Sequence, residues 1–136
     1  MQADTITKTV LEYYPNVQGI YLFGSYMTED EWPDSDVDIA LLLPAEAAKR
    51  ERSFALSECS LALARSLNKD VDLLNARTVS TVFRKEIISK GRLLYCADQY
   101  AVDEFEMLTI SYYQKLNEER ADIIASALAD GRFINV

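Results

Sequence analysis

Two aspartates, Asp36 and Asp38, stand two positions apart at the start of an apolar stretch that runs to Leu43. Side chains on a β-strand alternate between faces, so both carboxylates would point one way while Val37 and Ile39 point the other way. Two carboxylates on one face of an apolar strand repel each other and lose hydration, a cost that a bound cation offsets. Because these ligands offer only oxygen atoms, we predict a site for Mg²⁺, with Mn²⁺ as an alternative.

A candidate phosphate-binding turn precedes this strand. Gly24 and Ser25 end the apolar stretch 17–23, which is rich in β-branched and aromatic residues and is typical of a strand. A residue without a Cβ lets a phosphate approach backbone N–H groups, and the serine hydroxyl adds a donor. A phosphate-binding turn and a metal site so close in sequence indicate a nucleotide–metal site.

A third carboxylate comes from the short apolar run 71–74. Asp70 and Asp72 would share a face of this strand, but Asp72 lies inside the run and Asp70 stands at its start. We therefore favour Asp72 as the third acid. Three acids on two adjacent strands could hold two Mg²⁺ ions roughly 3.5–4 Å apart, with Asp72 nearest the incoming hydroxyl as the candidate base. Ser35 is a candidate to brace the carboxylates.

Composition narrows the class of function. The 136 residues predict a single domain over 1–136, and 22 acids against 14 bases give a net charge of −8. Such a surface repels nucleic acid, so we expect no direct nucleic-acid partner. No apolar run approaches the roughly 20 residues of a membrane span, so we expect a cytoplasmic protein. Because the chain has no histidine, His-based catalysis and His-ligated zinc are excluded.

Hydrophobic periodicity predicts an α/β (α+β) fold. We expect helices at 4–14, 44–68 and 78–90, strands at 17–23, 37–43, 71–74 and 93–96, and a helical segment from 98 to 130. The strand 37–43 should be central because both of its faces are apolar beyond Asp38. The strand 93–96 should lie at an edge, and Gly91 should cap the preceding helix.

The C-terminal helical segment, 98–130, is longer than a domain of this size requires. At 1.5 Å per residue it would span on the order of 48 Å, so it either breaks near Asn117 or projects. We predict a core-facing stripe along its first half, formed by Phe105, Leu108, Tyr112 and Leu116. The later apolar residues either fold back on the core or make the segment a partner-binding arm.

A basic cluster, Lys49, Arg50 and Arg52, stands near the start of the predicted helix 44–68. The simplest interpretation is a solvated helix face. The alternative is a docking point for phosphates or for an acidic partner.

The spacing of the two motifs resembles the signature of polymerase-β-type nucleotidyltransferases. The resemblance rests on Gly24 and Ser25, ten intervening residues, and then Asp36, Val37 and Asp38. In particular, the chain resembles the minimal nucleotidyltransferase (MNT) antitoxins that are encoded beside HEPN ribonuclease toxins. The segments 109–113 and 119–124 are also similar to the tail of these antitoxins.

The resemblance implies a polymerase-β-like fold, a small mixed sheet flanked by helices with a long C-terminal helix. It also implies an antitoxin that transfers AMP from ATP to a tyrosine hydroxyl of a cognate HEPN toxin and releases pyrophosphate. The implied metal-binding and catalytic residues are Asp36, Asp38 and Asp72, and the implied nucleotide-binding residues are Gly24, Ser25 and Ser35.

The chain departs from the family pattern after Ser25. A small residue followed by Arg and Gly is usual there, whereas this chain has Met27, Thr28 and Glu29. The family's arginine could help to neutralise the phosphates, and Thr28 cannot. This difference keeps a fold-retaining site without turnover among the alternatives.

Three other functions therefore stay open. A binding-only antitoxin would neutralise its toxin without ATP. A small-molecule nucleotidyltransferase usually needs a second domain, for which the chain has little room. A glycosyltransferase with a bare Asp-X-Asp motif would not need Gly24 and Ser25 at this spacing.

Overall fold

The computed structural model of the protein describes residues 2–23, 36–50 and 58–129, with side chains described at 4–23, 36–50 and 58–123. The described residues form five helices and four strands. In order they are α1 (Gln2–Tyr13), β1 (Gly19–Phe23), β2 (Val37–Leu42), α2 (Ala45–Arg50), α3 (Glu58–Leu67), β3 (Val71–Asn75), α4 (Thr81–Lys90), β4 (Arg92–Cys96) and α5 (Gln99–Ala129).

The strands form one mixed four-stranded sheet in the order β3-β2-β1-β4. β1 pairs antiparallel with both β2 and β4, and β2 pairs parallel with β3. A parallel neighbour requires a crossover connection, which residues 43–70 supply through α2 and α3. The predicted central position of β2 and the predicted edge position of β4 are both confirmed.

Alternating side chains of β1 and β2 supply two cores, one on each face of the sheet. On the first face, Ile20, Leu22, Ile39 and Leu41 pack with buried residues of α1 and α3. On the second face lie Tyr21, Ala40 and Leu42 of the sheet, Ile87 of α4, and Val102 and Phe105 of α5. Helices on both faces explain why β2 is apolar on both sides.

The predicted helix 44–68 is described as two helices. α2 ends at Arg50, α3 begins at Glu58, and residues 51–57, which include Arg52, lie outside the described part. In α3, Cys59, Leu63 and Leu67 recur at helical spacing and are all buried, so one face of this helix packs on the core. After α3, Asn68 adopts a left-handed φ of 53°, a conformation that asparagine tolerates better than most residues.

α4 begins three residues later than predicted. Thr78 belongs to the preceding turn, where its hydroxyl donates to the carbonyl of Asn75 at 3.2 Å. Ser80 is the N-cap, since its hydroxyl accepts from the Phe83 N–H at 3.2 Å. At the other end, Gly91 caps the helix as predicted, and its N–H donates to the Ile87 carbonyl at 2.8 Å. The backbone of Gly91 is extended, with a φ of −79°.

α5 is one continuous helix of 31 residues, so it does not break near Asn117. Its contact with the sheet ends near Thr109, because the helix is about 46 Å long and the strands are far shorter. Phe105 is buried as predicted. The rest of the predicted stripe is wrong, since Leu108 and Tyr112 are exposed and Leu116 is only half-buried.

The residues that seat α5 on the sheet are Ala101, Val102, Phe105 and Thr109, all buried. The Tyr21 hydroxyl of β1 also donates to Glu106 Oε2 at 2.7 Å. Burial and then this hydrogen bond to Glu106 raise the pKa of Tyr21 far above its ordinary value. Residues 117–123 are exposed, so the second half of α5 projects from the core.

Several sequence predictions fall outside the described residues. These are the nucleotide-binding candidates Gly24, Ser25 and Ser35, and the departure at Thr28 and Glu29. Within the described ranges, no helix is both long and apolar enough to cross a membrane.

The α4–β4 junction leaves no room for a side chain at Gly91. A Cβ there would overlap the Ile87 carbonyl oxygen and would lie 3.6 Å from the Leu22 carbonyl oxygen. Because the colliding atoms belong to the backbone, Gly91→Ala should lower the free energy of unfolding by about 1–3 kcal/mol. Urea denaturation measures this loss. The neighbouring Ser89→Ala, at an exposed position, should stay within about 0.5 kcal/mol, and an equal effect of both would contradict the steric argument.

Candidate active site

Asp38 and Asp72 face each other across the β2–β3 pair. The two strands run parallel, and their register places Asp38 directly beside Asp72 and Val37 beside Val71. Asp38 is half-buried and Asp72 is exposed at the sheet edge. The structure therefore brings together two carboxylates that are 34 positions apart in sequence.

Asp36 joins these two from the residue just before β2. It is exposed, and it lies on the Asp38 side of the strand because side chains alternate and the intervening Val37 is buried in the first core. Asp70, the alternative third acid, precedes β3, and its carbonyl accepts from the Val37 N–H at 2.8 Å. The register thus places Asp72, and not Asp70, opposite Asp38.

The three carboxylates influence one another electrostatically. Burial, the charge of Asp72 and then the charge of Asp36 raise the pKa of Asp38 above its ordinary value. A carboxylate that is partly buried between two others is destabilised in its charged form. The arrangement favours any cation that reduces this repulsion.

The chemistry of these donors fits a hard divalent cation, because all of them are carboxylate oxygens. Among the residues that the structure describes, no three ligating side chains are gathered closely enough to hold an ion as they stand. The metal set Asp36, Asp38 and Asp72 therefore remains a prediction.

An aromatic pair borders the carboxylates on the other side. Phe23, the last residue of β1, lies opposite Asp38 in the antiparallel register. Its ring meets that of Phe83 from α4 edge-on, with centroids 5.9 Å apart. This contact anchors the end of β1 against α4.

A set of side-chain contacts around Arg77, at the opposite end of the sheet, was not predicted. Arg77 follows β3, and its guanidinium donates to the Leu43 carbonyl and, at 2.8 Å, to Gln18 Oε1. The buried Asn75 positions this turn, since its Oδ1 accepts from the Arg77 N–H at 3.1 Å and its Nδ2 donates to the Ala48 carbonyl at 3.0 Å. Arg77 and Asn75 follow a strand without a recognisable motif, so only the tertiary structure reveals their contacts.

Comparison with known proteins places the chain in a family. Residues 5–100 match the sequence profile of the polymerase beta nucleotidyltransferase family. The protein adenylyltransferase MntA of Shewanella oneidensis is 37% identical over 131 residues, which cover 96% of this chain and 90% of that protein.

Solved structures agree with this placement. A toxin–antitoxin crystal structure with AMP-PNP has a matching chain with a TM-score of 0.72 and 34% identity, covering 94% of this chain and 99% of that one. A second match comes from the complex of a tri-AMPylated Shewanella oneidensis HEPN toxin with its MNT antitoxin. Its TM-score is 0.67 and its identity 35%, with the same coverage of 94% and 99%.

The four-stranded mixed sheet, the pairing of Asp38 with Asp72 across β2 and β3, and these similarities agree, and the chain belongs to the polymerase β nucleotidyltransferase family, among the relatives of the MntA protein adenylyltransferase.

Proposed function

We propose that this chain is an antitoxin that transfers AMP from ATP to a tyrosine hydroxyl of a partner HEPN toxin. The observation that carries the proposal is the register that sets Asp38 beside Asp72, in a chain 37% identical to a protein adenylyltransferase. A structure of a related complex contains an AMPylated HEPN toxin, and another contains the ATP analogue AMP-PNP.

In the proposed reaction, the tyrosine oxygen attacks the α-phosphorus of ATP and the bond to the β-phosphate breaks. Pyrophosphate leaves with the bonding electron pair, and the tyrosine proton passes to a carboxylate. Asp72 is the candidate base because it is the exposed acid of the register pair, open to an incoming acceptor. Main-chain and hydroxyl donors of Gly24 and Ser25 would hold the departing phosphates, and Ser35 would brace the acids.

Asp36, Asp38 and Asp72 would hold the divalent cation, with Mg²⁺ preferred and Mn²⁺ as an alternative. When bound there, such an ion would neutralise the charge of the triphosphate and make the acceptor hydroxyl more acidic. The chain itself contributes alignment, since β2 and β3 fix the carboxylates relative to each other and to the end of β1.

The projecting half of α5 is the proposed toxin-binding arm. Ile123 has 68% of its surface exposed, and residues 117–123 are all exposed. A long helix that leaves its own core with apolar side chains uncovered is typical of a segment that packs on a partner. The net charge of −8 and the acidic site make nucleic acid an unfavourable partner.

Replacement of both strand acids tests the catalytic assignment. The double variant Asp36→Asn, Asp38→Asn should reduce AMP transfer to the toxin by about 10³-fold or more, because the site loses two of its three metal-binding charges. Intact-mass spectrometry of the toxin follows the reaction. Asp70→Asn is the matched control and should keep nearly full activity, so transfer at an unchanged rate by the double variant would refute the assignment.

The raised pKa of Asp38 gives a pH-dependent test that needs no catalysis. A carboxyl whose pKa is higher in the folded state than in the unfolded state loses stabilisation as the pH rises through that folded-state pKa. At pH 7 without divalent cations, Asp38→Asn should therefore have a higher melting temperature than the wild-type chain. This difference in melting temperature should vanish below about pH 3.8, the ordinary pKa of an aspartate.

At pH 7, Mg²⁺ should reduce the difference in melting temperature between Asp38→Asn and the wild-type chain, because the bound ion stabilises the wild-type chain. Calorimetry in EDTA and in Mg²⁺ measures this change. Asp122→Asn, on the exposed part of α5, is the control and should have the melting temperature of the wild-type chain under each condition. A gap between wild type and Asp38→Asn that is equal at pH 3 and pH 7 would contradict the role of charge repulsion.

The proposed arm is tested by a charge placed on α5. Ile123→Glu should weaken the toxin complex at least about tenfold in calorimetric titration, with no loss of melting temperature, because the side chain is exposed in the free protein. Ala121→Glu adds the same charge two positions away, roughly on the opposite side of the helix. It should bind normally, and equal weakening by both variants would indicate a general charge effect.

A further inference from the structure

A cleft of about 240 Å³ opens between α5 on one side and α2, the turn that follows β3 and α4 on the other. One wall carries cations and the other is apolar. The cations are Lys49, Arg77 and Arg84, and the apolar wall includes Leu108 and Tyr112.

The cleft lies at the far end of the sheet from the carboxylates. β2 and β3 run parallel from the acids towards the cleft, and Arg77 contacts the carbonyl of Leu43. Leu43 is five residues beyond Asp38, which corresponds to about 16 Å of extended chain. A molecule in the cleft is therefore separate from one held at the carboxylates.

The cationic wall is held in place before any ligand arrives. The Arg84 guanidinium donates to the Val79 carbonyl at 3.1 Å and to the Arg77 carbonyl, while Arg77 is held by Leu43 and Gln18. Each guanidinium has five N–H donors, so both keep donors for a further acceptor.

The charge of this wall is only partly balanced by nearby acids. Among the residues that the structure describes, neither guanidinium forms an ion pair with a carboxylate. Burial lowers the pKa of Arg77, Glu104 of α5 opposes that change, and the charge of Arg84 adds to it. Lys49 brings a third, exposed cation, so the wall is locally positive in a chain of net charge −8.

The facing wall suits a flat apolar group. It comprises one side of α5, with Leu108 and Tyr112 exposed and Phe105 beneath them. Tyr112 keeps 52% of its surface exposed, which leaves its ring available for stacking.

We propose that this cleft is a second binding site, which takes a phosphate joined to an aromatic group, as in adenosine monophosphate. The cations would hold the phosphate, and the α5 wall would pack against the ring. Two sources share this chemistry: free AMP, and the AMP group on an already modified toxin. The second source rests on the proposed function, and there the cleft would retain a toxin that has received its first AMP.

Calorimetric titration of the wild-type chain in EDTA tests the site. Without divalent cations, the negative charges of Asp36, Asp38 and Asp72 prevent a phosphate from binding at their own end of the sheet, so the titration reports binding in the cleft. AMP should bind measurably more tightly than adenosine. Lys49→Glu should weaken AMP binding about tenfold or more. Lys8→Glu, an exposed lysine of α1 that gives the same charge change on the other side of the sheet, should bind within about twofold of wild type.

A second titration separates the two sources. It uses a tyrosine peptide that carries AMP on its hydroxyl and the same peptide unmodified. Tighter binding of the AMP peptide than of AMP assigns the cleft to the modified partner, and preference for AMP assigns it to the free nucleotide. Either result supports the site.

Equal affinity for AMP and adenosine, or insensitivity to Lys49→Glu, would overturn the inference. Because both titrations need neither turnover nor toxin, they can fail while AMP transfer proceeds normally. Conversely, an unmodified toxin together with AMP binding at the cleft would count against the proposed function alone.

Discussion

The structure depends on a conflict of charge and burial at the start of β2. This strand is the centre of the sheet, and every side chain from Ile39 to Leu43 is buried. Asp38 nevertheless lies near the start of this strand, and the parallel pairing with β3 places Asp72 directly beside it. The burial of β2 that stabilises the fold therefore also holds two like charges together at the start of this strand. Binding of a cation or of protons reduces the repulsion between these charges.

The packing around β2 keeps the carboxylates in place despite their repulsion. Helices on both faces bury the strand, and the pairing with β1 fixes Asp38 opposite Phe23, whose ring rests on Phe83. Because such close-packed surroundings yield little, the acids cannot separate by moving the backbone. The same rigidity aligns the end of β1, where the phosphate-binding candidates Gly24 and Ser25 follow.

Opposite charges lie at the two ends of the β2–β3 pair. Its acids lie at the start of β2 and β3, whereas Arg77, Arg84 and Lys49 lie beyond the ends of those strands. Net charge alone, −8, hides this division. A phosphate-bearing molecule therefore meets two different environments, one that needs a cation to receive it and one that is already positive.

Local patterns were sufficient to predict the strands and most of the helices, because strand alternation and apolar runs are properties of neighbouring residues. The choice of Asp72 over Asp70 followed from its place inside an apolar run. The register sets Asp72 beside Asp38, and its role as the third acid stays a prediction. The α5 stripe was wrong at Leu108 and Tyr112, since helical spacing cannot tell how far a helix extends past the sheet that buries it. The cationic wall was missed because Lys49 comes close to Arg77 and Arg84 only through the β2–β3 pairing, and because the turn after β3 has no recognisable motif.

Intact-mass spectrometry of the partner toxin, after incubation with this chain, ATP and Mg²⁺, tests the central claim most directly. The proposed function predicts a mass gain of one or more AMP units on a tyrosine, which requires both ATP and the divalent cation. A toxin that is silenced in a stable complex while its mass stays unchanged would contradict it, and would identify this chain as an antitoxin that acts by binding alone.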